Sequence, residues 1–464
     1  MDSILILAII VGIFCFLSTF NWRNLVIAAL VLLVFEGVLR KWVLPQASDS
    51  VYFLKDFILL AAYFNYYSKS KIFPIFINRN FNQAFTKIIF LIFGLCLVQA
   101  FNPSLGSVLI GFFGIKNYLF YVPLIWMLTN IFFTKKDLYK FLRIYLLITI
   151  PVCILAIVQF FSPVDSPINV YAGGGGVETI ATFGGGGEEG AARVTGTFPY
   201  ISGLGIYLVA SFSLLIPLLT LSQPRIWQLL NITEILLVTA TSFMTGSRAV
   251  VLFEILYIAG YLAILLFNRP YIFSRAFKRF FIPALVTFLA ISLFFSRSVN
   301  LFTERSVQNE EEGYTRVLSP LIEPWLLPLR IEGYGTGASH QATPKIRALL
   351  NISPLDVNAP PGNDGSSVKV MLDLGPIGLL LWDGLRLYLI FCSWHLFKQL
   401  KDPFLIQLAL SNFLFQTLQF TSSLVSNPTF SLYYWFFAGF IFLLPELEQR
   451  EYPQQDKVKS QIYD

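Results

Sequence analysis

Residues 249–267 read AVVLFEILYIAGYLAILLF, and residues 3–20 read SILILAIIVGIFCFLSTF. Both are of spanning length; Glu254 is the only charge in the first, and the second has none. A helix on the surface of a water-soluble protein interrupts such a run with a polar face every third or fourth residue. Here the apolar residues continue all the way round, as they do in a helix that meets lipid or other helices on every side. Runs of the same kind recur along the chain. Spans are expected near 3–20, 24–40, 51–67, 84–101, 106–133, 138–161, 201–221, 226–245, 249–268, 280–298, 367–397, 402–424 and 429–446. The expected fold is an all-α polytopic membrane protein with about 12–13 transmembrane helices and a large extracytoplasmic helical loop. Residues 106–133 are too many for one straight crossing, and a re-entrant or interfacial half is expected near Gly111–Gly114.

Composition points the same way. Of the 464 residues, 56% are hydrophobic and 13% charged, and the mean hydropathy is +0.67. Soluble domains are roughly one quarter charged, so this composition does not make an ordinary water-facing surface. The first apolar run has no basic stretch ahead of it, Asp2 being the only early charge, and no small-x-small site after it. It reads as a retained span, not a secretion signal. Cys15, Cys96, Cys153 and Cys392 all lie inside apolar segments and show neither a disulfide framework nor metal-ligand spacing, which makes them small core residues. Two histidines are too few for a His-rich metal site, and no metal or other cofactor is expected. The net charge of +6 resides mostly in short loops beside spans; membrane lipids, and not nucleic acid, are the expected surroundings.

Lys and Arg in short loops set the orientation. Lys69, Lys71, Arg79 and Lys87 surround the loop after the third span, and Lys135, Lys136 and Lys140 follow the fifth. Arg269, Arg275, Lys278 and Arg279 follow the ninth, and Lys398 and Lys401 the eleventh. With alternating spans all four clusters fall on one side, the cytoplasm, and the tail over 447–464 joins them. Arg40 and Lys41 fall on the wrong side of this count. The expected organisation is then N-terminal spans over 1–161, a Gly-rich extracytoplasmic loop over 162–200 and central spans over 201–298. A large extracytoplasmic loop over 299–366 and C-terminal spans over 367–446 complete it. No cytoplasmic domain is large enough to hold ATP, so energy for any chemistry comes from the substrate or an ion gradient.

Four stretches concentrate polar chemistry at the outer face. Thr245-Gly246-Ser247-Arg248 sits before the ninth span, where Ser247 is a natural N-cap. A helix N-terminus beside an arginine suits a phosphate, although these residues taken alone favour a capped turn with a snorkelling arginine. Arg193-Val-Thr-Gly-Thr-Phe-Pro199 closes the first long loop, with Thr195 or Thr197 available as a cap. The two GGGG runs upstream suit an anion nest or, more simply, a flexible linker. The second long loop offers Arg305, a helical stretch over 314–327 with Arg316 near its start, and Glu332-Gly-Tyr-Gly-Thr-Gly337. That glycine pattern lacks the strand–turn–helix setting of a nucleotide site and is expected to bring backbone close to a ligand or to the helix of Arg316. His340 follows in a polar loop and is expected to face solvent. Last comes Asn363-Asp364-Gly-Ser-Ser367, then Met371-Leu-Asp373-Leu-Gly375-Pro-Ile-Gly378. Glu36, Glu254, Asp373 and Asp383 fall inside spans, where carboxylates are expensive; pairing with an Arg or Lys of the bundle is the default for each.

TGSRA opening a span, RVTGTF entering one, an Arg-bearing helix before GYGTG, and DLGPIGLLL after a polar loop occur here in order. Together they resemble the O-antigen ligase and O-antigen polymerase superfamily, well over roughly 190–445 and mainly by topology before that. EGVLRKWVLP and VYFLKDF look like a polymerase-type subgroup from exopolysaccharide clusters. The resemblance implies a glycosyltransferase in the bacterial cytoplasmic (inner) membrane, acting at its periplasmic face. Its implied partners are an undecaprenyl-pyrophosphate-linked glycan donor, a glycan acceptor and other polysaccharide-assembly proteins. By motif position Arg248 and Arg316 are the implied catalytic pair, neutralising charge on the leaving pyrophosphate, with Arg193, Arg305, Ser247 and His340 as substrate contacts. Ligases of the family carry a His-Asn pair where this chain has Asp364 and Gly365. Asp364 is then the implied general base, or His340 takes that role. The departure favours polymerisation of repeat units, for an exopolysaccharide, capsule or O-antigen, over ligase-type transfer to a lipid or protein acceptor. A lipid-linked oligosaccharide transporter would show repeats and charges lining a path across the membrane; no internal repeat stands out, and the charges favour one face. A non-catalytic scaffold is the remaining alternative.

Overall fold

A computed structural model of the chain describes residues 16–69, 79–172, 180–183, 191–308, 319–326, 330–352 and 365–463. Its helices, in chain order, begin with α1 (Trp22–Val38), α2 (Ser48–Lys69), α3 (Arg79–Ala100), α4 (Val108–Leu119), α5 (Leu124–Ile131) and α6 (Lys135–Leu146). There follow α7 (Thr149–Phe161), α8 (Ile201–Leu219), α9 (Arg225–Met244), α10 (Arg248–Asn268), α11 (Pro270–Phe294) and α12 (Ser296–Gln308). The last are α13 (Thr343–Leu349), α14 (Ser366–Gln399), α15 (Pro403–Leu418), α16 (Pro428–Ala438) and α17 (Phe440–Tyr463). Among the described residues no strand forms beyond a single antiparallel bridge between Thr182 and Ala192.

Nine helices among the described residues are long and apolar enough to cross a membrane, or ten if the bent pair α4–α5 is one span. The chain is therefore an all-α, multi-pass membrane protein. Helices also stand at two further expected positions, one more polar and one shorter than these nine. α2 carries Asp49, Lys55 and Asp56, and α15 is 16 residues long. The run at 3–20 lies outside the described residues up to position 15. The break expected near Gly111–Gly114 lies instead between Leu119 and Leu124, where the chain bends by 45° beside Pro123, which has no N–H to give. Gly111 and Gly114 sit inside α4 and serve close packing. A side chain there would run into the backbone of Ala100 and of Thr336, respectively.

Polar caps mark the helix starts at the edges of the spans. The Asp402 carboxylate accepts from the N–H groups of Phe404 (3.0 Å) and Leu405 (3.1 Å), and Asn427 accepts from Phe430 (3.2 Å). A proline at the first helical position follows each cap, where its missing N–H costs nothing.

The chain divides into two compact units, Met1–Ile75 with Lys135–Gln308, and Phe76–Thr134 with Asn309–Asp464. In the first, α1 packs on α2, and α9 packs on α7, α8, α11 and α12. At its centre α8 buries every residue but Ile206 between Gly203 and Leu219. In the second, α14 packs on α3 and α15, α3 on α4, and α5 on α16 and α17. Here Phe415 stacks on Phe437 at 4.1 Å.

Candidate functional site

The first unit gathers most of the arginines singled out by the sequence. The stretch 193–198 is the hub. Val194 N–H donates to Met244 O (3.3 Å), and the Arg193 Nε–H donates to Thr245 O (2.9 Å). These two bonds join RVTGTF to the TGSR turn. Gly246 in that turn has φ +61°, and a side chain on it would lie 2.9 Å from Arg193 Nε and 3.0 Å from Phe183. Glycine is required there twice over, for the left-handed turn and for the passage of the guanidinium. Arg193 N–H also donates to Ala181 O (2.9 Å), beside Thr182, whose carbonyl receives the Arg305 guanidinium at 3.5 Å.

Arg248 is the first residue of α10 and is half-buried. Ser247 occupies the N-cap position, as expected, but its side chain makes no capping hydrogen bond. Thr245 Oγ1 instead accepts from Ser247 N–H (3.1 Å). The first turn of α10 therefore starts without a hydroxyl from Ser247 on its N–H groups, and such a terminus favours an anion.

Two cations that the sequence count left on the wrong side belong to this place. A π-helical turn, Leu39–Val43, ends α1 and carries Arg40 and Lys41, both buried. Lys41 Nζ donates to Thr195 Oγ1 (2.9 Å) and Gly196 O (2.7 Å), and lies over the Trp42 ring at 4.2 Å. Arg40 bonds Glu36 (2.9 Å) and Ser48 Oγ (3.1 Å), and Lys55 takes the other Glu36 oxygen at 2.9 Å. The triad keeps two buried cations on one carboxylate, the pairing that charge inside a membrane requires. Gly37 lets α1 touch the loop directly, since a Cβ there would stand 2.2 Å from Phe198 C. Gln159 finishes the clamp by accepting from Thr195 N–H (3.2 Å) and Gly196 N–H (2.7 Å). The signal for Arg40 and Lys41 was present in the sequence as a charge pair breaking the positive-inside pattern; Lys55 carried no such signal.

The second unit joins the other two motifs. Gly375 (φ 73°, ψ −175°) breaks α14, and Pro376 follows without an N–H. The carbonyls released by the break accept from the glycine loop: Tyr334 N–H to Leu372 O (2.7 Å) and Gly335 N–H to Asp373 O (3.0 Å). The Asp373 carboxylate takes Gly337 N–H (3.1 Å), Ser339 N–H (2.9 Å) and the Tyr118 hydroxyl (3.2 Å). Pairing of Asp373 with an Arg or Lys is thus replaced by hydrogen bonds from the loop. Glu254 similarly takes the Ser242 hydroxyl at 2.5 Å. GYGTG brings backbone close to other protein backbone: Thr336 N–H reaches Gln99 O (3.3 Å) and its hydroxyl reaches Gly111 O (3.1 Å).

His340 does not face solvent as expected. It is largely buried with its ring edge-on to Phe113 at 4.9 Å. Its Nδ1 accepts from Ala342 N–H (3.0 Å), which leaves the proton of the neutral ring on a buried Nε2 that has no partner among the described residues. In that tautomer Nε2 is a hydrogen-bond donor. Burial, then the nearby Lys369 and Lys116 ammonium groups, pull its pKa down to about 4. Arg316, Asp364 and both GGGG runs lie outside the described residues.

No protein-family model and no curated protein matches the chain. Lys41→Met removes two donors from the clamp and is expected to lower stability by about 1–3 kcal/mol, with Lys41→Arg retaining most of it. Thermal unfolding in detergent measures both. His340 stays neutral in the folded chain to about pH 4, whereas in the unfolded chain it takes up its proton near 6.5. Its contribution is complete above pH 6.5 and is lost as pH falls toward 4. Wild type is therefore expected to lose stability over that window more steeply than His340→Gln, by on the order of 3 kcal/mol. Parallel pH–stability curves for the two proteins would contradict this.

Proposed function

We propose that the protein is a membrane glycosyltransferase that polymerises undecaprenyl-pyrophosphate-linked oligosaccharide repeat units. We place its reaction at the extracytoplasmic face of a bacterial cytoplasmic membrane. The observation that carries the reading is the hydrogen-bonded union of RVTGTF with TGSR. It sets Arg193 on the turn that begins α10, with Arg248 next in the chain and Arg305 bonded to the adjoining loop. A helix start with arginines on it and on the adjoining turn and loop suits a pyrophosphate, which carries several negative charges and accepts many hydrogen bonds. The pairing of GYGTG with DLGPIG through Asp373 supports the same reading, because two motifs of the ordered set act as one folded piece.

In the proposed reaction an acceptor hydroxyl attacks the anomeric carbon of the donor sugar. The bond from that carbon to the pyrophosphate oxygen breaks, and the lipid pyrophosphate leaves with the electron pair. Arg248 and Arg316 neutralise the charge that grows on the leaving group, and Asp364 takes the hydroxyl proton. No nucleotide is consumed, since cleavage of the pyrophosphate linkage supplies the driving force.

Purified protein given carrier-linked repeats without nucleotide is expected to lengthen the glycan. Arg248→Ala and Arg316→Ala are each expected to slow elongation about 100-fold or more, and Asp364→Asn to lower the rate while the donor still binds. Unchanged chain growth in both arginine variants would overturn the role assignment. Transfer of finished glycan to a lipid or protein acceptor, with no elongation, would mark the enzyme as a ligase.

A further inference from the structure

Within the first unit, a cleft of about 500 Å³ runs between α11 and the helices α8, α9 and α10. Its lining reaches from Leu219 and Phe280 at one end to Phe243, Val299 and Asn300 at the other. The lining on α11 alone extends from Phe280 to Ser292, roughly 18 Å at 1.5 Å per residue. That exceeds half of a bilayer's hydrocarbon thickness, roughly 30 Å. α11 turns few side chains inward, Pro283, Thr287 and Ile291 among them, while Phe281, Leu285 and Leu289 on its other faces are exposed. The long walls are apolar apart from Thr239 and Thr287, and the mouth, by contrast, collects Ser292, Ser296 and Asn300.

That mouth adjoins the arginines. Phe243, which lines it, packs edge-on against Phe302 of α12 at 5.3 Å. Two residues beyond Phe243 the TGSR turn begins, with Arg193 bonded to Thr245 O, and α12 itself carries Arg305. A long apolar slot with a polar mouth, and arginines a few residues along the chain from that mouth, is complementary to an amphiphile with one slender chain and a multiply charged anionic head. A two-chain phospholipid fits less well, since one slot receives one chain and its phosphodiester carries a single charge.

Resting on the function proposed above, we infer that this cleft holds the hydrocarbon tail of the pyrophosphate-linked donor and delivers its head to Arg193, Arg248 and Arg305. Binding energy taken from a tail far from the reacting bond then positions the head. Chain length of the carrier becomes a determinant of specificity.

The test compares two donors with the same pyrophosphate-linked repeat, one on a long polyprenyl chain and one on a short, water-soluble chain, with the full-length protein. Ala284→Trp fills the cleft. It is expected to lower kcat/KM for the long-chain donor about ten-fold, equivalent to about 1.4 kcal/mol, while leaving kcat/KM for the short-chain donor unchanged. Leu289→Trp, on the exposed side of α11, is expected to change neither. An equal effect on both donors, or none on either, would overturn the inference while leaving the functional reading intact. Turnover of neither donor by wild type would overturn the functional reading and the inference with it. A diazirine on the long tail supplies an independent measurement on wild-type protein. Labelling is expected at residues 280–300; equal labelling there by a phospholipid with the same probe would overturn the assignment to the donor.

Discussion

Inside a bilayer, a backbone N–H or C=O that leaves a helix has no water to bond, so protein must meet it. The break in α14 satisfies this demand with unusual economy of parts. Gly375 turns the chain, and the carbonyls of Leu372 and Asp373 pass to the N–H groups of Tyr334 and Gly335. The Asp373 side chain then takes two further N–H groups of the same loop. A buried carboxylate, a cost when viewed alone, becomes the anchor that gives an irregular loop its shape. Removing the loop would strand the carbonyls, and removing the break would strand the loop.

The same constraint explains the hub of the first unit. The stretch 193–198 is not helical, yet Val194, Thr195, Thr197 and Phe198 are buried. Several of its polar groups are met by Gln159, Lys41, Met244 O and Thr245 O. An irregular segment held on several sides is a rigid platform for the side chains it carries, and Arg193 is one of them. Rigidity is what an electrostatic site needs, since donors that do not reorganise stabilise charge most effectively.

Apolar runs were legible as helices, because residues that must face lipid cannot alternate with polar ones. Helix ends and interruptions were less so. Gly111 and Gly114 read as a break and proved to be contact points inside α4, while Pro123 marks the real bend. A glycine serves a turn and a close approach equally well, and only the neighbours decide between them. GYGTG posed the same ambiguity, and its partners, Gln99, Gly111 and Asp373, lie far off in the chain. The motifs around Arg193 and Arg248 were legible one by one. Their union was not, because the bonds that join them connect residues some fifty positions apart.

Arg40 and Lys41 carry the most general lesson. Counted against the positive-inside rule they look like an error in the placement of the first spans. In the structure each is accounted for by a specific partner, Arg40 by Glu36 and Ser48, Lys41 by Thr195 and Gly196. The rule describes cations that interact with membrane and solvent; a cation held by a buried carboxylate or a loop carbonyl no longer reports on orientation. A charge that breaks the pattern is therefore better read as a residue with an internal partner than as a misplaced span. Had the pair been set aside from the orientation count, EGVLRK would have stood out as part of the same polar assembly as RVTGTF, which the contact of Gly37 with Phe198 makes plain.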